Sequence, residues 1–490
     1  MTDVAFQFYT EAETEQHSRN EARRIRTRVD QARKSPHAAG IRWPFELLQN
    51  ALDAGPRDGR STVTVGLQDD GTTMLFQHDG APFALNELAA LVSGGSSKDY
   101  ESETTTGRFG TGFLVTHVLA ERVRLRGLLA LESGCEAFDL TLDRAGDEEA
   151  ILANMQNSRD AIRAAVAVAD PETMQSATIE YEYGGNDVFV RGLDELSRAL
   201  PYIYGTRRTL GRFDLRTGED RVESWCPSDV NETVIEGGLL ESRRIAVMTD
   251  GVPTRDLWIH RFTTERQTAA AALVLVEETS NGPEVRLPDT KAPRVFREYP
   301  LRSSGFVPVN LIIDGKFDPE QERGGLLMND RDKDLLEEAL VAGVAAVRYA
   351  IEQAWRNAHL LARATRPEMG FEAGNAEETQ WWTDTLRAFA QRLAGTPIVE
   401  CESGMLPAFV EDGKHANFVV PRLREAPTEA ETSVERLWPL VAAAKRLVPP
   451  KRKLTADWIA IVEGWHTLAA TVELIWITKL AECVRVLYPA

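Results

Sequence analysis

The segment 44–55, PFELLQNALDAG, constrains the fold of this chain more than any other. Pro44 stands where a helix can begin, because the first turn has no use for the missing N–H. Gly55-Pro56 ends the same helix. Between them Phe45, Leu47, Leu48, Ala51 and Leu52 supply an apolar side, while Glu46, Asn50 and Asp53 fall at i, i+4 and i+7 and project from one face. Such a helix buries one flank and offers a stripe of acid, amide and acid to solvent or to a pocket. A carboxamide oxygen suits a hard cation, and a neighbouring carboxylate can orient a water molecule.

The next residues read as a hairpin, with strands at 61–67 and 72–77 around an Asp-Asp-Gly turn at 69–71. Directly after it comes His78-Asp79-Gly80-Ala81-Pro82-Phe83, where a polar side chain at a strand end can read a ligand edge and Gly80 permits close backbone approach. Residues 93–107, polar and glycine-bearing without periodicity, read as a mobile loop. The loop ends in Gly107-Arg108-Phe109-Gly110-Thr111-Gly112-Phe113, from which Gly112 onward returns to helix. Glycines in that position let backbone N–H groups face a phosphate, and a helix N-terminus adds partial positive charge. The segment is neither a Walker A loop, which needs Gly-Lys-Ser/Thr, nor a dinucleotide fingerprint, which follows a strand.

Further along, residues 10–35 are Arg-rich and helical in character, strands are expected at 123–130, 136–143 and 176–183, and a helix at 147–168 interrupts them. A helix near 193–202 precedes strands near 209–215, 232–236 and 243–248 and a hairpin that turns at Ser280-Asn281-Gly282. Residues 335–355 form an amphipathic helix. Residues 360–490 read as mainly helical, with proline-bearing breaks at 397–407 and 420–427. The pattern is α/β, of the α+β sandwich kind. At 490 residues the chain exceeds the roughly 250–300 residues over which one core grows, so two or three domains are expected.

Charge narrows the partners. With 75 acidic and 56 basic residues the formal charge is −19, which repels nucleic-acid backbones and anionic lipid at long range. Cys135, Cys226, Cys401 and Cys483 are far apart and form no zinc or disulfide pattern. The N-terminus lacks the apolar core of a signal peptide, and no stretch is apolar enough for a membrane span, so a cytoplasmic location is expected. The C-terminal end, just past an apolar helical run, fits both a natural terminus and a cut from a longer chain.

Taken together, ELLQNALDAG, the polar-Gly turn after the hairpin and GRFGTGF resemble the GHKL superfamily of Bergerat-fold ATPases, nearest its heat-shock-chaperone-like and sacsin-like branch. The resemblance implies an ATP- and Mg²⁺-binding domain over 1–185, a transducer-like α/β domain over 186–357 and a mainly helical region over 358–490. It makes Glu46 the general base and Asn50 the Mg²⁺ ligand, with Asp53 toward the adenine side. Gly107, Arg108, Phe109, Gly110, Thr111, Gly112 and Phe113 would cradle the phosphates. The family's second box is Asp-x-Gly; counting back from Gly80 gives His78, so either His78 or Asp79 would read adenine. Thr178 would close the pocket from a late strand, and Arg323, or else Lys291, would reach the γ-phosphate. The implied function is slow ATP hydrolysis used as a conformational switch, acting on a protein client in a chaperone-like or defence-related assembly, with pairing of protomers through 10–35. A nucleotide-binding scaffold without turnover is the alternative. His117 is expected to be a buried core histidine.

Overall fold

The computed structural model describes residues 3–56, 59–68, 71–95, 112–182, 185, 187–217, 221–266, 269–290, 292–319, 325–367, 376–401, 404–407, 409–411, 416–418 and isolated positions between 454 and 468. It is a mixed α/β protein whose contacts divide it into two compact units, 1–228 with 245–255 and 229–244 with 256–490.

The first unit opens with α1 (Asp3–Lys34), which buries Ala22, Ile25, Val29 and Ala32 at helical spacing. Next come α2 (Pro36–Gly40) and α3 (Trp43–Asp53). β1 (Ser61–Leu67) and β2 (Thr73–His78) pair antiparallel, Val63 opposite His78 and Leu67 opposite Met74. Then follow α4 (Leu85–Ser93), α5 (Gly112–Val115), β3 (Arg122–Leu131), β4 (Gly134–Asp143), α6 (Glu148–Arg163), β5 (Val166–Ala167) and β6 (Ala177–Glu182). The unit closes with α7 (Asp187–Thr206), β7 (Leu210–Arg216) and the start of β8 (Val222–Ile235). Its strand order is β8-β7-β1-β2-β6-β3-β4-β5, antiparallel throughout except for the β1–β7 pair.

α3 is the element that matters most. Trp43, Leu47, Leu48, Ala51 and Leu52 are buried. The indole of Trp43 stacks on Phe189 of α7 at 5.8 Å and donates to the Val188 carbonyl at 3.2 Å. Because α7 packs on α2 and α3 in this way, the first unit continues past residue 185.

β8, β9 (Gly238–Thr249) and β10 (Val252–Thr264) are long strands whose residues are shared between the units. The second unit then has β11 (Ala270–Thr279), β12 (Gly282–Arg286), β13 (Val295–Arg297), β14 (Tyr299–Pro300) and β15 (Ile312–Gly315). Their order is β14-β13-β15-β11-β10, with β12 also on β11. α8 (Asp330–Glu352) lies on β11 and β15 and buries Leu336 together with Ala339, Ala342, Ala346 and Ala350, the alanines being small enough to let helix and sheet approach closely. α9 (Ala376–Gly395) packs on α8, and two hairpins follow: β16 (Pro397–Cys401) with β17 (Gly404–Pro407), and β18 (Phe409–Glu411) with β19 (Ala416–Phe418).

Several expectations change. The return to helix at Gly112 lasts only one turn of α5 and a 3₁₀ turn at Thr116–Val118 before β3 begins. The strands expected at 232–236 and 243–248 are pieces of the longer β8 and β9, and the whole of β10 is additional. The proline-bearing break at 397–407 is a hairpin, its prolines at the strand ends where a missing donor is tolerated. The expected break at 420–427 lies outside the described residues. Among the described residues no helix is long and apolar enough to cross a membrane.

Candidate functional site

A cleft in the first unit lies between α3, α4 and α5 on one side and the sheet on the other, and encloses about 1030 Å³ including its open mouth. α3 contributes Glu46, Asn50 and Asp53, so the i, i+4, i+7 stripe does face a pocket. The floor is apolar, from Phe76 of β2, Leu125 of β3 and Ile179 of β6, with His78 at the end of β2. Glu87, Ala90 and Leu91 of α4 form the opposite wall, and Gly112 and Phe113 of α5 close one end.

Glu46 and Gly112 touch. A Cβ placed on Gly112 would overlap the Glu46 carboxylate, so the acid keeps its present position only beside a glycine. The other carboxylate oxygen, Oε1, lies 3.4 Å from Nη2 of Arg42, one turn earlier on the chain, with both side chains mostly buried. Oε1 is therefore tied to a cation while Oε2 is turned toward the backbone at Gly112. Arg42 lies outside the sequence-based site expectations, although an Arg at i−4 from a carboxylate is a recognisable pairing signal. Asn50 lines the same cleft, and its carboxamide has no hydrogen-bond partner among the described residues.

The other end is assembled differently. His78 is 5% exposed, and its Nδ1 accepts a buried hydrogen bond from the Gly80 N–H at 3.2 Å. Gly80 itself is hemmed in, with the Gly55 carbonyl 2.8 Å from where a Cβ would stand. Asp79 turns away from the cleft: its Oδ1 accepts from the Thr62 N–H of β1 at 2.6 Å. Asp53 lines the cleft, but its carboxylate pairs with Arg207 at 3.1 Å and accepts from Gln49 Nε2 at 3.3 Å, and its side chain is only 3% exposed. Asp53 is thus a buried ion-pair member that ties α3 to the end of α7.

Thr178 is on the wrong face of the sheet to close the cleft. Strand side chains alternate, so Ile179 points into the cleft while Thr178 points away and accepts from Gln77 Nε2 at 3.1 Å. Gly107, Arg108, Phe109, Gly110, Thr111, Lys291 and Arg323 lie outside the described residues.

Behind the cleft a buried polar cluster fixes α4 and α5. Arg144 donates to the Val92 and Leu91 carbonyls at 2.7 and 3.1 Å, satisfying the last turn of α4. The Tyr181 hydroxyl donates to Thr116 Oγ1 at 2.9 Å, and Thr116 in turn donates to the Phe113 carbonyl at 2.7 Å. Burial lowers the Arg144 pKa to about 10 and pushes the Tyr181 hydroxyl well up. His117, fully buried as expected, is lowered to about 3, first by burial and then by the charge of Arg144. It is a neutral core residue. These contacts hold Val92 and Phe113, on either side of residues 96–111, against the sheet.

Mg²⁺ and a nucleotide can be tested against these side chains. The Asn50 carboxamide oxygen, without a partner among the described residues and on the same helix face as the Glu46 carboxylate, suits one Mg²⁺ position whose remaining ligands are phosphate and water, the usual mode for this cation. No group of three or more His, Cys, Asp or Glu side chains able to hold a metal by themselves occurs among the described residues. The donor set fits a metal that arrives with its phosphates. Compared with protein-family models and with curated proteins, the sequence matches none of either.

Proposed function

We propose that this protein binds ATP with Mg²⁺ in the α3 cleft and hydrolyses it slowly, using the nucleotide as a conformational switch. The observation that carries this reading is the meeting of Glu46, Asn50 and Gly112: an acid and an amide one helical turn apart, facing the end of a glycine-rich segment. The resemblance to GHKL ATPases supports the same assignment and the Bergerat-type layout of the first unit. It also supports a transducer-like role for the second unit and a protein client in a chaperone-like or defence setting.

In this mechanism the triphosphate lies along the N-terminal side of α5, and the purine rests on Phe76, Leu125 and Ile179. Asn50 Oδ1 would hold Mg²⁺, which when bound would supply neutralisation of the phosphate charge. Glu46 accepts a proton from the water that attacks the terminal phosphate. Arg42 holds the carboxylate by one oxygen, so the oxygen beside Gly112 is the one placed to act as base. A positioned base contributes roughly 10²–10⁴-fold to rate.

Single-turnover hydrolysis and equilibrium binding, compared for wild type and Glu46→Ala, test the proposal. Turnover in the variant is expected to fall by at least about 100-fold while affinity changes by less than about threefold. Equal rates in the two proteins would leave a nucleotide-binding scaffold as the better reading, which the departure at His78 also motivates.

A further inference from the structure

The C-terminal end of α4 meets α1 and α5 at a glycine. A Cβ on Gly94, whose φ is +62°, would stand 2.7 Å from Ile25 of α1 and 3.3 Å from Leu114 of α5. The chain neighbours of these residues share the junction: Arg24 precedes Ile25, Gly95 follows Gly94, and Gly112 and Phe113 precede Leu114. Gly95, Gly112 and Phe113 all line the cleft. Arg24 donates to the carbonyl of Ser93, the last residue of α4, at 3.1 Å, and its Nη2 is 3.7 Å from where a Cβ of Gly95 would stand. A guanidinium of α1 therefore stands at the Gly112 end of the cleft, the end assigned to the phosphates.

Arg24 differs from the other arginines around the cleft in what it holds. Arg42 and Arg207 are paired with Glu46 and Asp53, and Arg144 is buried against the Leu91 and Val92 carbonyls. Arg24 is exposed, and among the described residues its partner is one uncharged carbonyl. The rest of its planar fork of N–H donors is open to a ligand. Glu46 and Glu87 line the cleft and repel a triphosphate, which raises the value of a cation beside it. Charge-assisted, bidentate bonds from arginine to phosphate are roughly twice as strong as bonds between neutral groups, so a phosphate competes well with the Ser93 carbonyl.

Resting on the nucleotide reading above, we propose that Arg24 binds the terminal phosphate and so distinguishes a nucleoside triphosphate from a diphosphate. With triphosphate bound, the guanidinium turns from Ser93 to the ligand and ties α1 to it. With diphosphate bound, it stays on the last turn of α4, where the helix dipole favours a cation. α1 thereby carries the difference between the two nucleotide states.

The test is equilibrium binding of the Mg²⁺ complexes of ATP and ADP to the full chain, in wild type, Arg24→Met, Arg24→Lys and Arg23→Met. In Arg24→Met, affinity is expected to fall by about tenfold or more for ATP and by less than about threefold for ADP. Arg24→Lys keeps the charge without the fork and should lose about threefold of the preference for ATP over ADP. Arg23, the next residue of α1, pairs with Glu148 of α6, and Arg23→Met should bind both nucleotides as wild type does. An unchanged ATP-to-ADP affinity ratio in Arg24→Met, whether both affinities hold or both fall together, would overturn the proposal. A wild type that binds neither nucleotide fails the nucleotide reading itself, a result distinct from a lost triphosphate preference. Should Arg24→Met not fold, the ratio in Arg24→Lys decides in the same way.

Discussion

The two ends of the α3 cleft use similar residue types in opposite ways. At the Gly112 end, Glu46 keeps one carboxylate oxygen beside a glycine backbone, and the Asn50 amide has no partner among the described residues. At the His78 end, both nearby acids are spent on the fold: Asp79 on the β1 backbone and Asp53 on Arg207. A carboxylate lining a cleft is therefore not evidence of a ligand role until its hydrogen bonds are accounted for. The first end turns polar atoms toward the cleft, and the second commits its acids to the scaffold.

Asp53→Ala should break this contrast most severely if it is mistaken. Removing one partner of a buried pair costs roughly 3–5 kcal/mol, so the variant should lose stability in a denaturant melt. Its relative affinity for ATP and inosine triphosphate should not change. A stable variant with altered base preference would instead make Asp53 a ligand residue.

Gly112→Ala probes the other end. The added methyl meets the tip of a flexible side chain, so the carboxylate can move aside at little cost in stability. Turnover should nevertheless fall by about 10–100-fold, because the base is displaced from its place beside the phosphate. Loss of folding with normal specific activity in the remaining native protein would show that Gly112 serves packing alone.

The Gly112 end was legible in the sequence because helical spacing is local: three polar residues at i, i+4 and i+7 share a face whatever surrounds them. β1 was legible residue for residue, since alternating Val63 and Val65 mark a half-buried strand. The His78 end was not, because the fates of Asp79 and Asp53 depend on Thr62 and Arg207, and the Asp53 partner is remote in sequence. Thr178 could have been placed correctly, as Ala177, Ile179 and Tyr181 alternate with Thr178, Glu180 and Glu182 and so assign it to the polar face. α7 runs over Asp187–Thr206, longer at both ends than the helix expected near 193–202. Gly192 is needed because a Cβ there would overlap the Trp43 indole, a tertiary demand that overrides helix propensity.

The central claim is that the α3 carboxamide meets a metal held on a triphosphate, and Mg²⁺-dependent affinity tests it most directly. ATP binding would be measured with Mg²⁺ and with excess chelator, in wild type and in Asn50→Ala. The account predicts that Mg²⁺ tightens wild-type binding by about tenfold or more and that Asn50→Ala loses most of that difference. A variant that keeps the full Mg²⁺ effect would contradict it.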